Sequence, residues 1–418
     1  MVSQQNRSNG AFTLTELLVV VGILSLLFGV GIWALLRQKK GRQLQAAEGA
    51  LVHMIRLAQN TARQEGGFGA IYIHPEKRTI SVAASKTIAY WSFEKNDLLP
   101  SSEEEAQLRA GGEEEIWGRA SNVRLAPGYL GSALELSKPQ AKVQIPPRPS
   151  FSPSHGIVIN FWIKIYPSSK MTWLSIVEKD QSYALKVSPL AQFQINLWGK
   201  DSNQQSVRYQ AQTYPGVFEP YTWAKVHFQF YRGKAELSID EIPRHLLPNT
   251  QANENFSERP PQILNTSTTP LVIGNSAEEF SVFLDQLQLQ AVLESDQYRL
   301  PSNVSLRIRG AAALAERSSE GETSPVAIYF DNRGGLEKRY HLGGVQIFFI
   351  PLSKGREKGE KRRIFTVQRS PSAAEAAADP PGVRCIAVLP SGLILSGEKA
   401  QSIQPKTWKE HKDTRKVR

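Results

Sequence analysis

Residues 12–36 form an apolar run whose only ionisable side chain is Glu16. About 25 residues rising 1.5 Å each in a helix would cross the ~30 Å hydrocarbon layer of a bilayer. A carboxylate held there is costly, so its presence points to a task for the charge, most simply pairing with a cation inside the membrane. Beyond Arg42 the pattern changes but stays helical. Leu44, Ala47, Leu51, Ile55, Ala58 and Ala62 recur every three or four positions, the spacing of an amphipathic stalk, until Gly66-Gly67 ends it. Together they predict one helix over residues 12–65, roughly 80 Å long, half of it in lipid and half with a stripe for a sheet to cover. Alternation of period two then takes over. Phe68-Gly-Ala-Ile-Tyr-Ile-His74 and Arg78-Thr-Ile-Ser-Val82 read as a hairpin around Pro75-Glu76-Lys77. Residues 87–293 hold short strands between turn signals and no long amphipathic helix, which predicts a β-sandwich.

Length and composition set the frame for these elements. The 418 residues, 41% of them apolar, suffice for two or three domains with real cores. The single cysteine, Cys385, rules out an internal disulfide; it sits in the apolar run Arg384-Cys-Ile-Ala-Val-Leu389, as a buried inert thiol would. The formal charge of +11 is uneven. Basic residues gather after the apolar helix, between Lys354 and Arg363, and from Lys406 to Arg418, whereas Glu103–Glu105 and Glu113–Glu115 make an acidic loop. Such runs read first as solvated loops and tails. A secretory signal would have a basic leader and an apolar core of only ~7–15 residues with a cleavage site beyond it, which this sequence lacks.

The stretch Gly10-Ala-Phe-Thr-Leu-Thr-Glu16 and the apolar helix behind it resemble the type IV pilin and pseudopilin superfamily. That resemblance implies a leader of residues 1–11, cleavage by a prepilin peptidase between Ala11 and Phe12, N-methylation of Phe12, and an assembly role for Glu16, which would meet the terminal amine of a neighbouring subunit. Ala11 stands where the family mostly has Gly, and Thr15 replaces a usual aliphatic; the Phe12-to-Glu16 spacing fixes the cut. The resemblance also implies a single-pass protein of the inner (cytoplasmic) membrane with its C-terminal domains in the periplasm or at the cell surface. Arg37, Lys39, Lys40 and Arg42 oppose that orientation, since the positive-inside tendency alone would place them in the cytoplasm.

Ala58-Gln-Asn-Thr-Ala-Arg-Gln-Glu-Gly-Gly67 resembles the helix end of minor pseudopilins of the GspH and FimT type, and Ile328-Tyr-Phe-Asp-Asn-Arg-Gly-Gly335 resembles their strand and glycine turn. In that family more strands should follow the first hairpin directly. Here they return only at Val326-Ala-Ile-Tyr-Phe-Asp331, Gly344-Val-Gln-Ile-Phe-Phe-Ile350, Arg363-Ile-Phe-Thr-Val367, Arg384–Leu389 and Leu393-Ile-Leu395. The interval resembles LamG-like or concanavalin A-like jelly rolls in seven segments taken in order: Ile88-Ala-Tyr-Trp-Ser-Phe93, Tyr129-Leu-Gly-Ser-Ala-Leu-Glu-Leu136, Val158-Ile-Asn-Phe-Trp-Ile-Lys164, Thr222-Trp-Ala-Lys-Val-His-Phe228, Ala235-Glu-Leu-Ser-Ile-Asp240, Pro270-Leu-Val-Ile-Gly-Asn275 and Phe283-Leu-Asp-Gln-Leu-Gln-Leu289. The expected fold class is therefore α+β: a long transmembrane and stalk helix packed on a small antiparallel sheet, the pilin fold, interrupted by an all-β sandwich. The expected divisions are leader 1–11, helix 12–65, first part of the pseudopilin β-domain 66–86, jelly roll 87–293, second part 294–400 and basic tail 401–418. An insertion of this kind requires the guest's first and last strands to lie together.

Candidate chemistry is sparse. Trp91, Trp162 and Trp223 lie inside apolar strands and read as core. Trp117, Trp173 and Trp198 lie nearer turns and are the candidates for an exposed ligand platform. Asp285 reads as a hydrogen-bond partner for a buried turn. Some relatives of the sandwich bind calcium, but Asp180, Asp201 and Asn203 are scattered and no Asp-rich loop appears, so no cofactor or metal is expected. Glu236, Ser238 and Asp240 alternate onto one face without the carboxylate spacing of glycosidases, and nucleophilic triads, phosphate loops and zinc spacings are absent from the sequence, so no enzyme is expected. The expected function is a minor pseudopilin or pilin-like subunit that assembles into or primes a type II secretion pseudopilus or type IV pilus. Its partners would be the prepilin peptidase, other pseudopilins, the inner membrane, and a glycan or exported protein bound by the jelly roll. The alternatives are an anchored lectin-like protein outside any filament and a DNA-uptake pseudopilin whose Arg415, Lys416 and Arg418 contact phosphates.

Overall fold

The computed structural model describes residues 14–74, 78–100, 105–112, 115–170, 172–249, 256–274, 281–295, 297–301, 304–309, 326–331, 333–336, 345–351, 365–368, 384–389 and 391–397. The leader, Ala11, Phe12, the Pro75-Glu76-Lys77 turn, the basic run after Lys354 and the tail with Arg415, Lys416 and Arg418 lie outside the described residues, as do the side chains of Glu16 and Cys385.

One helix, Leu14–Glu65, runs for 52 residues. Its described side chains before residue 29 are exposed, with Leu14 at 78%, Leu26 at 71% and Phe28 at 66%. Farther along, Leu44, Ala47, Leu51, Met54, Ile55, Ala58 and Ala62 are buried, so the stripe of period 3.6 is the face that packs. Among the described residues no helix is long and apolar enough to cross a membrane.

The helix meets two sheets rather than one. Its stripe shares a core with Ile71, Ile73, Ile80, Val82, Ile328 and Phe330 of a front sheet, and with Leu306, Ile308, Val345, Ile347, Ile386 and Val388 of a separate five-stranded sheet. That five-stranded sheet runs Phe365–Gln368, Val304–Arg309, Val345–Pro351, Arg384–Val388, Ile394–Gly397, and its first pair is parallel. Two glycine turns clasp the end of the helix. Arg63 Nε donates to Arg333 O at 2.7 Å in the turn that Asp331 closes, and Gln59 Nε2 donates to Gly392 O at 2.7 Å. Gly392 has φ +85°, and a Cβ there would lie 2.2 Å from Gly334 O.

The front sheet is antiparallel throughout and its main path runs Ile242–Arg244, Lys234–Ile239, Ala224–Tyr231, Gly156–Tyr166, Ser281–Glu294, Thr79–Trp91, Gly69–His74, Val326–Phe330. Opposite part of it stands a twelve-stranded back sheet, and the two enclose one core that includes Trp91, Phe151, Phe161, Tyr183, Phe193, Phe228 and Phe230. This is a jelly-roll sandwich, antiparallel but for the short parallel pairing of Arg208 and Tyr209 with Phe256 and Ser257. The strand Thr79–Trp91 serves both cores, and Ser281–Glu294, which contributes to the sandwich core, lies beside it. They pair from Ala83↔Glu294 to Trp91↔Leu287, with a register shift between Thr87 and Ala89. One extra residue inverts side-chain parity, so Ile80 and Val82 face the helix while Ala89 and Trp91, of opposite parity, face the sandwich core from the same side of the sheet. The helix end fills this irregularity: Thr87 N–H donates to Glu65 Oε2 at 2.9 Å and Gln290 Nε2 donates to Glu65 O at 2.7 Å.

Candidate functional site

Alternation along Gly156–Tyr166 sends Ile157, Ile159, Phe161, Ile163 and Ile165 into the core and leaves Asn160, Trp162, Lys164 and Tyr166 on the outer face of the front sheet. Register does the rest. Lys164 lies opposite Phe283 on one side, and on the other Ala224↔Ile163 places Trp223 beside it. The Lys164 ammonium is 5.0 Å from the centroids of both rings and 5.8 Å from that of Tyr166, within cation–π range. Tyr129, from the turn before Ser132–Leu136, stacks on Trp162 at 3.6 Å and 12° and stands edge-on to Trp223 at 6.5 Å. Tyr166 meets Phe283 and Tyr221, each at 5.2 Å. Tyr129, Tyr166 and Tyr221 remain 45%, 39% and 62% exposed, so the result is an accessible aromatic patch around one cation. Among the described residues no carboxylate forms an ion pair with Lys164, whereas Lys186, Lys234, Arg109, Arg119 and Arg232 each have one.

Two features hold the patch in place. Asp285, fully buried, accepts Leu130 N–H at 2.9 Å through Oδ2 and so pins the turn that carries Tyr129. Burial pushes this carboxyl above its usual value, and backbone donors at Leu130, Gln286 and Tyr129 offset only part of that. The turn-holding role read from the sequence for Asp285 is thus present in the fold. Next to the aromatics on the same face lies a hydrogen-bonded polar row across four strands. His227 Nδ1 is 2.6 Å from Asn160 Oδ1, Asn160 Nδ2 donates to Gln288 Oε1 at 3.2 Å, and Gln288 Nε2 donates to Thr87 Oγ1 at 2.8 Å.

The tryptophans expected as core divide. Trp91 is 1% exposed and belongs to the core; Trp162 and Trp223 do not, and lie half-buried on the outer face. Strand parity explains this, because Phe161 and Ala224 take the inward positions next to them. Trp117, Trp173 and Trp198 are also half-buried, and they do not come together. Trp117 lies in Ile116–Ser121 and Trp198 in Phe193–Lys200 of the back sheet, with four strands between them, or about 24 Å at ~4.8 Å per strand. Trp117 borders a shallow cleft of about 470 Å³ with Gln107, Gln144, Pro270 and the Arg119–Glu105 ion pair. Trp198 is covered by the Arg208 guanidinium, 5.3 Å from its centroid, which also lies over Phe256 at 4.6 Å. Trp173 precedes Leu174–Lys179 at a strand end.

No family model matches the sequence, and no curated protein matches it. Among solved structures, the binding domain of botulinum neurotoxin serotype D is similar at 14% identity over 49% of this chain and 47% of that one, with a TM-score of 0.33. Domain 4 of AbnA, an extracellular arabinanase from Geobacillus stearothermophilus solved with arabinotriose, is similar at 17% identity over 50% of this chain and 94% of that one, TM-score 0.29. The binding domain of botulinum neurotoxin DC solved with rat synaptotagmin II is similar at 11% identity over 66% and 75%, TM-score 0.34. The chain spans about half the length of the first of these. Scores of this size carry no argument about ligand or activity.

A second cluster on the outer face joins sandwich to stem. Tyr231 and Val158 from the sandwich side pack with Phe68, Tyr72, Ala327 and Tyr329 from the helix side. Tyr72 OH donates to Tyr329 OH at 3.2 Å, and burial raises Tyr72 well above the usual phenol value. Arg232 pairs with Glu294 at 2.5 Å, and Tyr231 OH donates to the same carboxylate. Among the described residues there is no group of three or more His, Cys, Asp or Glu able to hold a metal ion.

Proposed function

We propose that the chain is a membrane-anchored, pilin-like minor subunit that carries a binding sandwich outward from the membrane. The observation that carries this reading is the helix Leu14–Glu65, whose described apolar side chains are exposed in its first part and covered by two sheets in its last. An exposed apolar helix needs an apolar surrounding, either lipid or the helices of neighbouring subunits. Glu16, near the start of that helix, is the group that would pair with the amine of Phe12 on a neighbour once the leader is removed, an attraction strengthened by the low dielectric of the bilayer. The sandwich and stem share the strand Thr79–Trp91, the Tyr231 cluster and the Glu65 contacts, so the head would follow the stalk as one body. In this reading the protein sits in the inner membrane with its sheets outside the cytoplasm, and the sandwich presents a surface for a glycan or an exported protein.

Glu16→Ala tests the proposal directly. The variant should insert in the membrane and fail to co-purify with other pilin-like subunits, and mass spectrometry of the native chain should find a methylated Phe12 as first residue. Retention of residues 1–11 in cells with an active prepilin peptidase, or unchanged recruitment of Glu16→Ala, would defeat it.

A further inference from the structure

We infer that the outer face of the front sheet around Lys164 is a binding site for acidic carbohydrate, with Tyr129 as the stacking plate and Lys164 as the carboxylate receptor. The inference deepens the proposal that the sandwich is the binding end of the molecule, and it is independent of filament assembly.

Three observations define the occupant. First, Tyr129 is 45% exposed while its ring is held against Trp162 at 3.6 Å; a flat aromatic fixed in this way is what the apolar face of a pyranose packs on. Second, Lys164 is a cation set among aromatic rings rather than beside a carboxylate. Arg232 and Lys234 are paired with Glu294 and Glu236, whereas Lys164 has three aromatic walls and no carboxylate partner among the described residues. The walls supply weak compensation for a charge and leave the ammonium able to take an anionic group from outside. Third, the neighbouring polar row of His227, Asn160, Gln288 and Thr87 is held rigid by its own hydrogen bonds on the same face. Hydroxyl-rich ligands exploit such a row; an acyl-chain surface would have to desolvate it without return. Trp223 touches both Tyr129 and Lys164, which puts plate and cation within the span of a disaccharide.

The test uses the full chain in detergent on an array of galacturonate, glucuronate and sialate oligosaccharides, each beside its carboxyl-reduced form. Binding should be confined to carboxylated members. Lys164→Gln should weaken it about tenfold or more, the loss of one charge-assisted contact, and Lys164→Arg should restore most of it. Tyr129→Ala, a change at an exposed ring, should weaken acidic ligands with near-ultraviolet circular dichroism unchanged. Glu16→Ala should bind like the parent, so failure of assembly and failure of this site are read separately. Equal affinity for reduced glycans, absence of any bound acidic glycan, or Tyr129-dependent binding to phosphatidylglycerol vesicles in place of sugars would each overturn the inference.

Discussion

Neutralising Glu294 should loosen the sandwich from the stem without unfolding either core. Glu294 is 12% exposed and holds Arg232, itself 28% exposed, at 2.5 Å, while Tyr231 donates to the same carboxylate. In Glu294→Gln the guanidinium keeps only the faces of Tyr72 and Tyr231, at 5.6 and 5.8 Å. Breaking a buried ion pair costs ~3–5 kcal/mol, and since Arg232 retains some water the cost here is placed nearer ~2–3 kcal/mol. That corresponds to a roughly 30- to 150-fold larger population of the open seam. Hydrogen exchange read on peptides from Gly69–His74 and Ala224–Tyr231 should lose protection by about that factor, while the helix segment with Leu51 and Ile55 changes little. The pH dependence supplies a second check. Burial alone would raise Glu294, but the Tyr231 hydrogen bond and the Arg232 charge outweigh it and hold the carboxyl below its ordinary value. A depressed folded value means the stabilisation is complete above the ordinary carboxylate pKa of about 4.3 and is lost as pH falls through the folded one. The parent should therefore lose seam protection on acidification and Glu294→Gln should not. A variant that changes seam exchange less than about threefold, or that keeps the parent's acid response, would refute the reasoning.

Two further changes test close packing and buried charge. Gly69→Val would put a Cβ 2.1 Å from Ala58 O, a backbone atom that cannot rotate away, so it should cost about 1–3 kcal/mol or more and lower the melting temperature; Gly49→Ala, with nothing within 4 Å, should instead leave stability unchanged or raise it by a few tenths of a kcal/mol. Asp285 has its folded pKa raised chiefly by burial, so its contribution is most favourable at low pH and diminishes as pH climbs from about 3.9 through the raised value. Asp285→Asn removes that charge, and denaturant midpoints should shift in favour of the variant between pH 3 and pH 7; a gap that does not change with pH would exclude the assignment.

What could be read from the chain depended on how local the signal was. The stripe from Leu44 to Ala62 is a 3.6-residue period inside one element, and it is buried as read. The strands at Val326–Phe330, Val345–Pro351 and Arg384–Val388 are legible for the same reason, whereas Val304–Arg309 alternates equally well but its arginines mask the signal. Most of the back sheet is hard to read from composition because Phe193–Lys200 and Ser206–Gln212 set the amides Gln194, Asn196, Gln210 and Gln212 along one side, so their composition reads as loop while their parity reads as strand. Parity also carries the signal for the site. Once Phe161, Ile163 and Ile165 are assigned to the core, Trp162 and Lys164 must face outward, whatever the usual burial of tryptophan. Composition cannot supply the remaining step, because Trp223 and Phe283 reach Lys164, and Tyr129 reaches Trp162, only through the registers of strands brought from distant parts of the chain. A one-residue slip in the Trp223 or Phe283 pairing would turn that ring toward the core and strip Lys164 of one of its walls. The cation and its aromatic enclosure are therefore a property of the pairing register, and the same register that closes the sandwich core creates the site on its outer face.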